Sequence, residues 1–313
     1  EELTGTDGAR IRIASLGAAT SLIALPLPMI LALSDRLDTW ATDPHIVCVL
    51  LRGNGPKSFC AGGEVRSLAQ ACREHPGEVP ALAAQFFAAE YRLDYRLHTY
   101  PKPLICWGHG YVLGGGMGLL QSAAVRIVTP SSRLAMPEIS IGLYPEVGAS
   151  WFLSRLPGKL GLFLGLTGAH MNGRDALDLG LADRFLLDEQ QDELLEGLLQ
   201  LNWQEQTEMQ LNSLLKALAQ EATGQRLVER MNIWCHAIST EPAGNQHPGD
   251  SRRPAPIGID PPRHQAHRHR DHQRGIHRVT AEHGNVQLMQ RYAPALEQQF
   301  AERHDGIGAG DCH

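Results

Sequence analysis

Between Ile11 and about Leu187, short β-rich apolar runs alternate with stretches of helical spacing, and few folds accept that alternation. "IRIASL" is a short strand, and Leu27 to Ala41 has helical apolar spacing with Pro28 near its start, where a missing N–H is tolerated. "IVCVLL" (46–51) is a continuous apolar run of the kind buried on both faces of a sheet, and it ends in the loop "RGNGPKSFCAGGE". A long helix is predicted over about 80–99. Pro101 and Pro103 follow, then the strand "LICWGHG", a glycine turn opening a helix in "YVLGGGMGLLQSAA", and the strand "VRIVT". Helices are expected over 149–166, 173–180 and 188–222. Repeated β-then-α units predict an α/β fold with a largely parallel sheet. We divide the chain into a core (1–187), a helical region (188–240) and an atypical tail (241–313).

With 313 residues, 43% hydrophobic and 20% charged, the chain can bury one large core or two modest ones. A net charge of −6 without a basic, aromatic-interleaved stripe argues against a nucleic-acid partner. The longest apolar run, Leu22 to Leu33, contains two prolines and is shorter than the ~20 residues that span a bilayer. It lacks a basic flank and a cleavage site, so neither a membrane helix nor a signal peptide is expected. Cys48, Cys60, Cys72, Cys106, Cys235 and Cys312 show no CxxC spacing, which predicts a reducing compartment, by default the cytoplasm, and neither disulfides nor a zinc knuckle.

Beyond about Thr240 the composition changes. Residues 241–313 hold nine of the 15 histidines, nine arginines, seven prolines and no lysine. His264, His267, His269 and His272 have metal-like spacing, but no Cys accompanies them and Asp271 is the sole nearby carboxylate. A disordered polar tail is a second reading. The expectation adopted is a third: Arg, His, Pro, Gln and Gly in place of a normal mixture is what a GC-rich gene yields in a shifted frame.

Chemistry concentrates in "MPEISIGLYPEVGAS" (136–150). Lone acids ordinarily sit on solvated faces. Glu138 and Glu146 instead each follow a proline, are trailed by Gly142 and Gly148, and are flanked by Met136, Ile141, Leu143, Val147 and Trp151. Carboxylates pinned this way in a half-buried loop suit catalysis. Two glycine loops, "FCAGGE" (59–64) and "LGGGMG" (113–118), each lie between a strand and a helix. A dinucleotide fingerprint does not fit: Gly108, Gly110 and Gly114 make GxGxxxG, and no acid follows at a strand end about 20 residues on. Glycines at a helix start present unpaired N–H groups that can hold a developing anion, and two such loops would make an oxyanion hole. Cys60 has no recognisable His partner and is read as a packing residue, His109 as a loop or core histidine. No GxSxG elbow is present, which argues against a serine hydrolase.

This order of motifs resembles the crotonase (enoyl-CoA hydratase/isomerase) superfamily from about Ile11 to Ala222. "FCAGGEV", "LGGGMGL", "MPEISIGLYPEVG" and "LTGAHMNGRDALDLGLADRF" are most similar to its 3-hydroxyisobutyryl-CoA hydrolases. The resemblance implies a ββα spiral core with a helical C-terminal region, aberrant or disordered here, and hydrolysis of a short-chain 3-hydroxyacyl-CoA thioester in valine breakdown. It implies that the Gly63 and Gly115 N–H groups bind the thioester oxygen, that Glu90 in "AAEYRLDYRL" contacts substrate, and that Glu138 is the shared catalytic Glu. Lys57 and Arg66 match positions where relatives place cations for the nucleotide, with solvated surface charge as the other reading. Hydratases often carry a second Glu where Gly118 stands, so its absence counts against hydration. The hydrolases place an Asp where Glu146 stands, and the extra methylene shifts the oxygens by more than about 1 Å, enough to damage a positioned acid.

No cofactor is expected, coenzyme A being part of the substrate. No metal is expected either, and a homo-oligomer is allowed. An enoyl-CoA hydratase or isomerase is the alternative activity, and an inactive acyl-CoA-binding relative the alternative of another class. The chain departs from the family at Ile23, where relatives carry Asn, at Pro26 and Leu31 in or beside a helix that is normally more polar, and beyond Thr240. There the helices that cover the acyl pocket and join subunits are not recognisable.

Overall fold

The computed structural model describes residues 1–5, 8–17 and 23–227. The tail, with its metal, polar and shifted-frame readings, lies outside the described residues, as do Cys235 and Cys312.

The chain winds between two sheets. In the larger, β1 (Glu2–Thr4) pairs antiparallel with β2 (Arg10–Leu16), and α1 (Leu27–Thr42) crosses over to β3 (Ile46–Gly53), parallel to β2. The chain then enters the smaller sheet as β4 (Ser58–Cys60) and returns through α2 (Val65–Glu74) and α3 (Ala81–His98). The next turn repeats the pattern, with β5 (Leu104–Gly108) in the larger sheet, β6 (Tyr111–Leu113) in the smaller and α4 (Gly115–Ser122) after it. A third turn places β7 (Val125–Val128) and β8 (Arg133–Ala135) in the same two sheets. The ββα spiral follows from this alternation.

After β8 come α5 (Ala149–Phe152), α6 (Leu160–Thr167), β9 (Met171–Asn172), α7 (Gly173–Asp178), β10 (Arg184–Phe185), α8 (Gln191–Leu199) and α9 (Thr207–Leu218). The larger sheet has the order β1-β2-β3-β5-β7-β10 and the smaller β4-β6-β8-β9. The apolar run of β3 has no polar face because both sides are covered. Val49 and Leu51 join the core beneath α1 and α3, while Cys48 and Leu50 join a second core with Ile105, Trp107 and Ile127. That second face is sealed by Leu194 and Leu198 of α8 and Leu211 and Leu215 of α9. Among the described residues no helix is long and apolar enough to cross a membrane.

Two helix predictions are corrected. Residues 149–166 are α5, a 3₁₀ turn over Leu153–Arg155, and α6, because Pro157 holds Leu156 extended (ψ 149°) and Gly158 turns the chain at φ 59°. Residues 188–222 are a 3₁₀ turn, α8 and α9, interrupted over 200–206. There the Trp203 indole N–H donates back to the Leu198 carbonyl at 3.0 Å and Gln206 takes φ 46°. The strands of the smaller sheet were not anticipated: β4 lies within the segment read as a loop, and β6 within the glycine turn.

Candidate active site

In the smaller sheet β4, β6 and β8 run parallel side by side. Their exits carry Gly62–Gly63, Gly114–Gly115 and Pro137–Glu138, so three segments distant in sequence arrive together. Gly114 caps α4 at φ 51°, ψ −117°, a conformation that side chains disfavour. A methyl group on Gly115 would stand 3.5 Å from the Gly63 nitrogen, which makes the two backbone donors neighbours. Among the described residues neither N–H reaches a protein acceptor; that of Gly115 opens the first turn of α4, where no intrahelical partner exists.

The same bare backbone admits two carboxyls. Glu138 opens a 3₁₀ turn over Glu138–Ile141, which Gly142 closes at φ 73°, and a methyl on Gly114 would stand 2.8 Å from Glu138 Oε1. Glu90 comes from α3, and a methyl on Gly115 would stand 2.5 Å from Glu90 Oε1. Any side chain at 114 or 115 would expel these carboxyls.

Glu146 lies on the turn that follows, half-buried. The Tyr91 hydroxyl of α3 donates to its carboxylate, and the Val147 N–H donates to Oε2 at 3.0 Å. Val147 sits at φ 46°, a genuine outlier for a β-branched residue, and Gly148 follows at φ 83°. The strained turn aims Val147 at α4, where a methyl on Gly118 would come within 2.5 Å of Val147 Cβ and 3.1 Å of Asp94 Oδ2. Position 118 therefore has no room for a side chain, because Val147 and Asp94 fill its space. Glu146 is thus held by two donors.

Burial dominates the electrostatics. It pushes the Glu138 carboxyl up to about 8, with the Glu146 charge adding to the rise, although a backbone hydrogen bond pulls the other way. Burial likewise raises Glu146 to about 7 against the lowering effect of Tyr91 and Val147. Glu90, only 2% exposed, is held well above the carboxylate range by burial and then by Glu146, Asp94 and Glu138. Glu138 thus retains its proton at neutrality and Glu146 is poised to give or take one, as acid–base groups must be.

The structure brings Gly63, Gly115, Glu90, Glu138 and Glu146 together. Lys57 and Arg66 remain exposed at the two ends of the 57–66 segment, the one before β4 and the other in the first turn of α2. Burial pushes the Cys60 thiol up to about 12, so it is no nucleophile near neutrality. His109 Nε2 is engaged with the Gly55 carbonyl at 2.7 Å, as befits a loop histidine. Ile23 is buried, Pro26 precedes the first turn of α1, and Leu31 is exposed on that helix. Among the described residues no three His, Cys, Asp or Glu side chains converge to hold a metal ion. Sequence reasoning missed Tyr91 and Asp94, and saw Val147 only as an apolar flank of the glutamates. The one available signal was Glu90–Asp94, two acids at i,i+4 on a helix whose same face is apolar.

The chain is 40% identical over 190 residues to 3-hydroxyisobutyryl-CoA hydrolase, mitochondrial, of Danio rerio, and 39% identical over 189 residues to the Homo sapiens protein of that name. Each match covers 60% of this chain and 48% of the relative, so the chain spans about half the length of the curated relatives it matches. 3-Hydroxyisobutyryl-CoA hydrolase 1 of Arabidopsis thaliana is 40% identical over 176 residues, 56% of this chain and 46% of that protein. Among solved structures, a carnitinyl-CoA dehydratase from Mycobacterium thermoresistibile superposes with a TM-score of 0.64 at 32% identity, covering 77% of this chain and 66% of that one. An enoyl-CoA hydratase from Rhodobacter sphaeroides does so at 0.61 and 30%, with the same coverage. The family profile described as enoyl-CoA hydratase/isomerase matches residues 11–240. With the two-sheet spiral and three converging strand exits, that match means the chain belongs to the enoyl-CoA hydratase/isomerase family.

Proposed function

We propose that the chain hydrolyses a short-chain 3-hydroxyacyl-CoA thioester, the substrate being 3-hydroxyisobutyryl-CoA as in the names of its relatives. The observation that carries the proposal is the pair of free donors, Gly63 N–H and Gly115 N–H, with the Glu138 and Glu90 carboxyls set against the same glycine backbone. A thioester oxygen between those donors gains charge as the carbonyl is attacked, and each donor contributes about 3 kcal/mol to such a transition state. Glu138 either attacks the carbonyl or activates the water that does. Glu146 accepts a hydrogen bond from the substrate hydroxyl and assists proton delivery to the departing thiolate. Glu90 contacts the acyl portion, while Lys57 and Arg66 meet the phosphates of coenzyme A.

The filled space at Gly118 favours hydrolysis over hydration, because α4 has no room for a second acid there. The reaction as drawn uses no cofactor beyond the coenzyme A of the substrate. The four described cysteines are free and buried, which suits a reducing compartment, the cytoplasm or the organelle in the names of the animal relatives. Incubation with 3-hydroxyisobutyryl-CoA and, separately, crotonyl-CoA tests the proposal, with free thiol and enoyl absorbance followed in both. Thiol release from the first supports it. Enoyl loss without thiol release replaces it with hydration, and silence in both with an acyl-CoA-binding relative that lacks turnover.

A further inference from the structure

Four carboxyls, Glu90, Asp94, Glu138 and Glu146, share one buried cluster, and the reaction drawn above uses three. Asp94 stands on α3 one turn beyond Glu90. It is 9% exposed, and neither Oδ1 nor Oδ2 has a hydrogen-bond partner among the described residues. Its Oδ2 lies 3.1 Å from the point that a Gly118 methyl would occupy, and Val147 Cβ lies 2.5 Å from the same point. Asp94 and Val147, the neighbour of Glu146, therefore meet over the bare backbone of α4 at Gly118.

The ionisable groups that act on it or feel it are Glu146 on the turn, Glu90 on its own helix and Cys60 on β4. All are acids. A carboxylate with both oxygens bare, beside a second carboxylate, is strongly disfavoured, and the relief is to keep a proton. Glu146, by contrast, has two donors aimed at it, Tyr91 O–H and Val147 N–H.

We infer that Asp94 is a positioning residue for Glu146: it keeps its proton, so the pair carries one negative charge and that charge rests on Glu146. This rests on the role proposed for Glu146, whose ionised carboxylate holds a 3-hydroxyl group more strongly than the neutral acid would. Burial first, then the Glu146 charge, holds the Asp94 carboxyl well above the aspartate range. Two bonded donors against none decide which partner ionises.

The test is a carbon-13 NMR titration of the full chain labelled at the aspartate side-chain carboxyls. One aspartate resonance is expected to remain in the protonated position at neutral pH, and Asp94→Asn assigns it by its loss. In Glu146→Gln its midpoint falls by about one pH unit or more, a tenfold change in proton affinity, because the neighbouring charge is gone. The inference is overturned if every aspartate titrates in the ordinary range, or if Glu146→Gln leaves the raised midpoint in place. The wild-type spectrum decides the first point without any variant. The titration needs no substrate, so a chain that turns nothing over still answers it, which separates this inference from the proposed activity. In an active chain, Asp94→Asn holds position 94 neutral and removes the alkaline decline of kcat/KM that ionisation of Asp94 brings. An unmoved profile overturns the positioning role.

Discussion

The Tyr91 hydroxyl donates to the Glu146 carboxylate, tying the long helix α3 to the turn that follows Glu138. Shortening residue 146 pulls its oxygens off that donor. Glu146→Asp is therefore expected to lower kcat about ten- to a hundredfold even though it installs the family's usual residue, because misplacement by about 1 Å costs that much. Tyr91→Phe should give a smaller fall in the same direction. Steady-state thiol release measures both, and a rise in Glu146→Asp would mean that the longer side chain is the defect.

Glu138 holds its proton until about pH 8, and attack or water activation requires the ionised form. In the proposed reaction kcat/KM should climb through neutrality to about pH 8 and fall only where Asp94 ionises, the opposite of what an enzyme relying on a protonated Glu138 would show. Glu138→Gln should reduce thiol release by about 10³-fold or more and abolish that climb.

The same raised carboxyl sets a stability trend. Between its ordinary value of 4.5 and about 8, the folded chain holds a Glu138 proton that the unfolded chain has released. The associated stability is full below about pH 4.5 and is lost as pH rises to about 8. Glu138→Gln has nothing to lose, so its Tm should exceed that of the parent by a margin that widens from mildly acidic to mildly alkaline pH. A few degrees is the expected scale, at about 2–4 °C per kcal/mol for a domain of this size. Differential scanning calorimetry at matched ionic strength checks it.

Gly118 is where α4 meets the strained Glu146 turn. Gly118→Ala drives a methyl to 2.5 Å from Val147 Cβ, so the turn must shift. A loss of about 1–3 kcal/mol in stability is expected, with a disproportionate fall in kcat as Glu146 moves with its neighbour. Chemical denaturation and thiol-release kinetics on the same preparation separate the two.

Lys57 and Arg66 are exposed, and their effect should be on binding rather than chemistry. Their double alanine variant should raise KM for the coenzyme A ester about tenfold, leave kcat within about twofold, and flatten the dependence of KM on salt. An unchanged KM would leave them as surface charges.

The parts of the fold that sequence reasoning reached are those whose burial writes a period into the chain. β3 is apolar from Ile46 to Leu51 because helices cover both faces, and α3 runs long enough for its spacing to show. The smaller sheet was invisible because "SFC", "YVL" and "RLA" are three residues each, too short for any period to stand out. Pro157-Gly158 was a readable break that the apolar spacing on either side outweighed. Both glutamates and both glycine loops were legible as motifs. Asp94 was not, since an acid on a helix defaults to solvent until a neighbouring loop is seen to cover it.

Because β4, β6 and β8 are parallel neighbours, the spacing of the three site loops is written in backbone hydrogen bonds and not in side chains. Backbone ladders tolerate exchange of the groups mounted beyond them. A lineage can thus trade one acid for another at 90, 94 or 146 while the anion-binding frame stays in register. The smaller sheet, four strands of two or three residues each, is what allows one architecture to be refitted for different acyl chemistry.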